Sequence, residues 1–381
     1  MKQTMPLLAL SIFMMNVSFT YGQWNTRGYF ECETDVSNTP GDHYFGYTKI
    51  RLDLGKRINI QIETNCSLLA KQYWGRQTYV LSDFLPVSSN ENIPAITFND
   101  TLYFDNLYAV WRTPEWGEFV IGRQPVSLGA GYVWNPTDIF TSKDNIDPTY
   151  EIQGITAVRW LISAGRFEID SIIQPIDNGK MINSYFGVTG HIHHFDITPS
   201  IHQRHYKGDM TTDQLYNGDV GYGLSVVGEV FTAGVWMETN LVFQGEQYPN
   251  TREWTLGMEY TTHQSVYFLA EAYHNDSGAD ATTGQYYAFS RVFDYLDGNI
   301  RALAKNYIMI LVQYPLNQWW SIGCWTIGNL DDKSEIVSLQ LAGCPLKDTT
   351  IDLSAFTFTG NKLTEFGVQD AWVRVRLNLY F

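Results

Sequence analysis

The chain has 381 residues, of which 15 % are aromatic and only 17 % are charged, and its formal net charge is −15. The acidic excess argues against a nucleic-acid partner, because such a surface repels phosphate. Many tyrosines and tryptophans combined with few charges are typical of a membrane barrel, whose two interfaces carry aromatic girdles.

The first predicted element is a cleavable signal peptide over residues 1–22. Lys2 supplies a single positive charge, a mostly apolar run follows from Leu7 to about Val17, and fairly small residues precede Gln23. This run is shorter than the roughly 20 residues that a membrane-spanning helix needs. We therefore expect one mature domain, residues 23–381; the alternative is a retained N-terminal anchor.

The rest of the chain is predicted to form β-hairpins, because apolar and polar residues alternate along it. Segments 47–54 and 57–65 show this most clearly, with a predicted tight turn at Gly55 and Lys56. About eighteen strands are predicted, near residues 25–36, 42–54, 57–68, 101–113, 117–124, 151–162, 165–175, 184–193, 195–206, 217–228, 230–243, 252–263, 265–275, 304–315, 318–328, 333–343, 348–359 and 368–381.

The predicted connections alternate between short turns and longer loops. An outer-membrane barrel shows this alternation, with short periplasmic turns and long extracellular loops. A β-sandwich has no reason to sort its loops in this way. We therefore predict an all-β fold, a transmembrane antiparallel up-and-down barrel whose polar face lines the lumen, with a constriction loop, 125–150, folded inside.

The last predicted strand carries the most specific local signal. Alternation is unbroken from Ala371 to Phe381, and it places Arg374 and Arg376 on one face. Exposing either arginine to lipid at mid-membrane costs about 2–4 kcal/mol, so both are expected in the lumen. A chain that ends on Phe381 after alternating apolar residues resembles the assembly signal of bacterial outer-membrane proteins.

A distinctive segment covers residues 121–140. It begins Ile-Gly-Arg-Gln-Pro at 121–125, has glycines within 128–131 and ends Asn-Pro-Thr-Asp-Ile-Phe at 135–140. This pattern resembles the porin-like outer-membrane barrels related to the alginate-export proteins. It departs from that group at Leu128, where the resemblance leads us to expect tryptophan. The resemblance implies a barrel that passes solutes.

The loop over 125–150 is the predicted selectivity element. Its glycines permit close approach to the barrel wall, and its glycine, proline and aromatic content favours an ordered loop. Arg123, Trp134 and Asp138 are the predicted constriction residues, with Arg123 and Asp138 facing each other across the passage. The alternative is that Asp138 caps its own turn through its side chain.

Strand alternation also predicts which charged side chains line the lumen. The candidates are Lys49, Arg51, Asp53, Glu63, Arg112, Arg159, Glu168, Asp170, Glu238, Glu259, Arg374 and Arg376. Four of these cations lie on strands near the two chain ends, which meet where a barrel closes. This predicts a local basic patch that favours anionic solutes. The alternative is mutual neutralisation of acids and bases, without selectivity.

Two other functions stay open at this point. The aromatic loop 276–303 favours a surface glycan-binding or adhesin barrel. A barrel lipase or protease would use groups such as those in 274–277, although a working triad usually converges from separate segments. The histidines around 191–205 give only a weak case for a metal. No enzyme activity, cofactor or metal is expected.

The sequence thus predicts a passive channel for small hydrophilic solutes in a Gram-negative outer membrane. The expected partners are outer-membrane lipid, the barrel assembly machinery and a small polar or anionic solute. The oligomeric state and the pairing of the four cysteines stay open.

Overall fold

The computed structural model describes residues 24–37, 44–83, 95–141, 143, 150–205, 219–243, 250–279, 292, 294–295, 298–369 and 371–381. The predicted signal peptide lies outside these residues. Among the described residues, no helix is long and apolar enough to cross a membrane.

Within the described residues, twenty strands form in chain order, and eighteen of them make one closed sheet. The strands are β1 Trp24–Ser37, β2 Tyr44–Arg57, β3 Ile62–Gly75, β4 Thr78–Val80, β5 Ala95–Thr97, β6 Thr101–Thr113, β7 Gly117–Gln124, β8 Ile155–Ala164, β9 Phe167–Ile176, β10 Met181–Ile192, β11 Phe195–Arg204, β12 Asp219–Val230, β13 Ala233–Phe243, β14 Thr251–Thr261, β15 Tyr267–Asn275, β16 Asn306–Pro315, β17 Trp320–Asn329, β18 Ser334–Leu346, β19 Thr349–Thr359 and β20 Trp372–Tyr380. The short strands β4 and β5 pair with each other as a separate two-stranded sheet. Single 3₁₀ turns occupy Leu81–Asp83 and Asp177–Gly179.

The barrel closes between its first and last strands. β1 pairs antiparallel with β20, from Tyr29 opposite Tyr380 to Ser37 opposite Trp372. Each other barrel strand pairs antiparallel with its neighbours along the chain, β3 pairing with β6. We call the region where β1, β2, β18, β19 and β20 meet the seam. The predicted closed barrel of eighteen strands is confirmed.

The loops are sorted by length between the two ends of the barrel. At the short-turn end, none of the eight connections exceeds five residues, whereas the other end carries the 125–154 and 276–305 connections. We call this second end the long-loop end. The predicted alternation is therefore present, although the connection 330–333 at the long-loop end is short.

One predicted hairpin lies in a different place. The turn expected at Gly55 and Lys56 falls instead at 58–61, and Gly55 pairs with Asn65 inside the sheet. The Asn59 side chain causes this, because its Oδ1 accepts hydrogen bonds from the main-chain nitrogens of Gln61 and Ile62, both at 2.8 Å. Such a side-chain bond to the following backbone favours a turn over a strand.

Apolar side chains cover the outer face of the barrel, as lipid contact requires. On β20, Val373 and Val375 are 47 % and 43 % exposed, whereas Arg374 between them is 8 % exposed. Phe381 continues the outer row, and its main-chain nitrogen and oxygen pair with Gly28 at 3.0 Å. The Phe381 ring lies so close to Gly28 that any side chain there would collide with it.

The buried apolar core lies inside the barrel, between the wall and the 125–154 connection. Its larger cluster joins Val133 and Trp134 to inner residues of the wall from β13 to β19. The second cluster joins Val126, Leu128 and Ile139 to β8, β9 and β10. The connection is thus packed against two separate parts of the inner wall.

Candidate functional site

The candidate site is the lumen, and the connection 125–154, which we call the lumen loop, crosses it. Glu238 on β13 holds the first part of this loop. One of its carboxylate oxygens accepts hydrogen bonds from the main-chain nitrogens of Ala130 and Gly131, the latter at 2.8 Å. The other accepts from the Thr137 nitrogen at 3.2 Å and hydroxyl at 2.7 Å. Glu238 is fully buried, so its charge is matched by these donors.

Glu271 on β15 holds the next part of the lumen loop in the same manner. It accepts hydrogen bonds from the main-chain nitrogens of Tyr132, Val133 and Trp134, the last two at 2.9 and 3.0 Å. The indole nitrogen of Trp236 donates a fourth bond at 2.8 Å. Hydrogen bonds to a charged acceptor contribute about 1.5–3 kcal/mol each. Glu238 and Glu271 therefore fix the loop to one side of the barrel.

Trp134, a predicted constriction residue, lies between the lumen loop and the wall. Its indole is 2 % exposed and stacks on Tyr273 with ring centroids 5.2 Å apart. Tyr307 lies on it at 5.7 Å. The ring is buried against β15 and β16, and its contacts hold the loop in position.

Asp138 organises its own turn, the alternative that the sequence left open. Its carboxylate accepts hydrogen bonds from the main-chain nitrogens of Phe140 and Thr141 and, across the loop, from Leu128, at 3.0–3.1 Å. The Thr141 hydroxyl adds a bond at 2.7 Å. These bonds give the loop a fixed shape.

The predicted pairing of Arg123 with Asp138 is absent among the described residues. Arg123 is aligned with Leu107 and Thr156, which are exposed on the outer face. Its Nε donates to the main-chain oxygen of Asp105 at 2.9 Å. The prediction failed because alternation puts Ile121 outside, and therefore also the position two residues later.

The far end of the lumen loop reaches the seam. The Tyr150 hydroxyl donates to Glu33 at 2.7 Å, and the Tyr29 hydroxyl donates to Glu151. Glu151 also lies 3.6 Å from the Lys49 ammonium. Among the described residues the loop therefore has polar attachments on both sides of the lumen.

The charged side chains of the seam form ion pairs. Arg374 makes a two-pronged contact with Asp35 at 2.9 and 3.0 Å, and Arg376 contacts Glu33 at 2.6 Å. Lys49 lies 2.9 Å from Glu31. Arg51 contacts three carboxylates, Asp53 at 2.9 Å, Asp105 at 2.7 Å and Glu151 at 3.5 Å. The predicted basic patch is thus replaced by a mixed network, since β1 supplies the acids Glu31, Glu33 and Asp35.

The remaining lining candidates also occupy inner positions of their strands. The pairs are Arg112 with Glu63 and Glu118, at 2.9 and 2.7 Å, and Arg159 with Asp170, at 2.7 Å. Glu168 lies 3.8 Å from His191, and Glu259 accepts from the Tyr267 hydroxyl at 2.6 Å. No group of residues suited to a metal ion occurs within the described part of the chain.

Arg301 is an important residue that the sequence did not indicate. It comes from the 276–305 connection and contacts Glu253 on β14 at 3.2 Å. Its guanidinium also donates to the main-chain oxygens of Pro136 and Asp138 in the lumen loop. Arg301 thereby joins the 276–305 connection to the lumen loop.

Within the lumen loop, the Lys143 ammonium donates to the main-chain oxygen of Gly131 at 2.6 Å, and burial lowers the pKa of Lys143.

A cavity of about 340 Å³ remains beside the lumen loop at the seam. It is lined by side chains from β1, β2, β18, β19, β20 and the loop end. We call it the seam cavity; its lining is Tyr29, Glu31, Lys49, Tyr150, Glu151, Ala342, Gly343, Cys344, Thr350, Asp352, Arg376, Asn378 and Tyr380. Cys344 is one of four cysteines, all of them unpaired.

Most of the aromatic segment within 276–303 lies outside the described residues, so its expected glycan-binding surface has no described structure. His274 lies 2.8 Å from Asp276 and 2.8 Å from the Asn306 amide oxygen.

Comparisons with known proteins support the fold. No family model matches the chain. No curated protein matches it either. Among solved structures, Pseudomonas aeruginosa OpdK with vanillate is similar at a TM-score of 0.61 and 10 % identity, over 94 % of this chain and 98 % of that one. Pseudomonas aeruginosa OccK5 (OpdH) is similar at a TM-score of 0.58 and 9 % identity, over 94 % of this chain and 97 % of that one. Salmonella typhi OmpF in complex with daunomycin is similar at a TM-score of 0.50 and 11 % identity, over 94 % of this chain and 97 % of that one.

These likenesses, at such low identity, concern the fold. Together with the closed barrel, its apolar outer face and its charged interior, they show the fold: a closed antiparallel β-barrel of eighteen strands, similar to the barrels of outer-membrane porins. Eighteen strands enclose a lumen wide enough for an aqueous passage.

Proposed function

We propose that this protein is a channel through which small hydrophilic solutes diffuse passively across the outer membrane of a Gram-negative bacterium. The lumen loop and the charged lumen residues set its selectivity. One observation carries the proposal: Glu238 and Glu271 hold the loop inside the barrel, and a polar cavity stays open beside it at the seam. A loop held in this way narrows a passage without closing it.

The similar solved structures support the same function at a general level. OpdK was solved with vanillate and OmpF with daunomycin, so barrels of this fold are known in complex with small organic molecules. The motifs within 121–140 further support a relation to the alginate-export barrels. Fold alone does not fix function, so the lumen geometry remains the main support.

The expected partners follow from the two faces of the barrel. Lipid surrounds the apolar outer face, and Phe381, directly after the last strand, is the proposed signal for the assembly machinery. The solute is small and polar; the paired charges of the seam give no general preference for anions.

Liposome swelling tests the proposal. Vesicles that contain the folded barrel should swell in isotonic solutions of small neutral solutes, and the rate should fall steeply as solute size increases. Vesicles prepared without protein give the baseline. A swelling rate equal to that baseline for every solute would reject passive diffusion.

A further inference from the structure

Three tyrosine rings surround the seam cavity. Tyr29 and Tyr380 are paired across β1 and β20, with ring centroids 5.9 Å apart and planes tilted by 52°. Tyr150 lies at the end of the lumen loop and lines the same space. Tyr380 is 47 % exposed, so its ring is open to a solute. Aromatic faces offer apolar contact to flat, partly apolar molecules.

Hydrogen-bonding groups in the cavity occur as adjacent donors and acceptors. Lys49 lies 2.9 Å from Glu31, and the Asn378 amide donates to the Thr350 hydroxyl at 3.1 Å. A solute hydroxyl can both donate and accept, so it can bond to both members of such a pair. A carboxylate can only accept and an ammonium can only donate, so either leaves half of the pair unused.

The charges of the lining also disfavour an ionic ligand. Its carboxylates are Glu31, Glu151 and Asp352 and its cations are Lys49 and Arg376, a formal sum of −1. Lys49 and Arg376 already contact carboxylates, at 2.9 and 2.6 Å. An anion therefore meets no unpaired cation, and a cation must compete with these two residues. A volume of about 340 Å³ lies within the range of small-molecule sites.

From these observations we infer that the seam cavity binds neutral polyhydroxy solutes of the monosaccharide and disaccharide class on their way through the barrel. The tyrosine rings contact the apolar faces of the sugar ring, and the paired donors and acceptors bind its hydroxyls. This inference rests on the proposed channel function for its transport role, but binding to the cavity can be measured separately.

Single-channel recording with three matched sugars tests the inference. Glucose, glucuronate and glucosamine share a pyranose ring and differ in charge. Glucose should interrupt the ion current more strongly than either charged sugar. In Tyr380→Leu the affinity for glucose, measured from the interruptions of the current, should fall about three- to tenfold, because an aromatic contact is lost. Tyr314→Leu, which removes an exposed tyrosine from the outer face, should behave as the wild type.

A second readout uses the native cysteine of the cavity and needs no current. Glucose should slow maleimide labelling of Cys344 in the detergent-solubilised barrel, and glucuronate and glucosamine should slow it less. If the barrel does not conduct, the proposed function fails, and this labelling still tests the cavity. If Tyr380→Leu does not fold, the wild-type labelling decides. Equal or stronger effects of a charged sugar, or no change in a folded Tyr380→Leu barrel, would overturn the inference.

Discussion

The carboxylate of Glu271 lies 3.0 Å from the main-chain nitrogen of Trp134, and this bond is one of three that Glu271 accepts from main-chain nitrogens of the lumen loop. A buried charge on the wall, surrounded by main-chain donors of the loop, is a strong and rigid attachment. In the proposed channel, the position of the loop and with it the size of the passage therefore depend on side chains of β13 and β15.

Glu271→Gln should loosen the lumen loop. The glutamine amide cannot accept all the bonds that the carboxylate accepts, and its NH₂ group faces main-chain N–H donors, at a cost of at least about 2 kcal/mol. Single-channel recordings should show a noisier current with a higher mean conductance. Glu229→Gln, at an exposed position of β12, is the matched control and should leave the recordings unchanged. A quiet, unaltered current in Glu271→Gln would show that the loop does not depend on this anchor.

The seam ion pairs determine the charge preference of the passage. Glu33 contacts Arg376 at 2.6 Å and Arg374 at 3.5 Å, so Glu33→Gln leaves these cations less compensated. The reversal potential in a KCl gradient should shift toward chloride. Glu335→Gln, at an exposed position of β18, should cause no shift. Because removing one member of a buried pair can cost about 3–5 kcal/mol, folding should be verified by gel mobility before and after heating. A folded variant without the shift would contradict this role.

The 360–371 loop should attach to the barrel in a pH-dependent manner. Glu365 accepts hydrogen bonds from Tyr307 and Asn329, both at 2.7 Å, and its burial raises its pKa from 4.5 to about 7. Once the loop is detached, the carboxyl stays ionised down to about pH 4.5, so attachment takes up a proton between these values. Attachment should therefore strengthen as the pH falls through this window and weaken by up to roughly 3 kcal/mol as it rises.

Hydrogen exchange of residues 361–367 measures this attachment. After correction for the intrinsic exchange rate, protection should be greater at about pH 5 than at about pH 8. In Glu365→Gln, which cannot ionise, protection should no longer depend on pH. An equal pH dependence in wild type and variant would assign the effect to another group.

Cys344 offers a direct test of the route past the lumen loop. It lines the seam cavity, whereas Cys32, Cys66 and Cys324 are aligned with leucines of the outer face. The leucines are Leu377, Leu107 and Leu339. A water-soluble, negatively charged thiol reagent should therefore react with Cys344 first and lower the conductance. Cys344→Ser should conduct normally and be insensitive. A reagent-labelled wild type with unchanged conductance would place the route elsewhere.

Most of the fold could be predicted from alternation, because a strand with one face in lipid and the other in water must alternate. Alternation alone could not predict where the third strand, β3, begins. Ile58 and Ile60 continue the apolar pattern, yet they are 55 % and 78 % exposed in a turn. A single side chain, Asn59, ends the strand through local hydrogen bonds, and periodicity does not detect such bonds.

The sequence predicted the types of residue that line the lumen better than it predicted their contacts. Alternation placed Arg374 and Arg376 on an inner face, but their partners lie on β1, at the other end of the chain. The acids of β1 follow the same alternation, and once β1 and β20 are aligned each arginine faces a carboxylate. Glu271 was missed because its inner-face neighbours, Leu269 and Tyr273, are apolar. A lone carboxylate on such a face indicates an anchor for another segment.

The most direct test of the whole account is the single-channel conductance of the purified, folded barrel in a planar bilayer. An open passage beside a fixed loop predicts stable, well-defined steps at low potential, of the same size in repeated insertions. Absence of steps at every potential, from protein that is folded and inserted, would contradict the account.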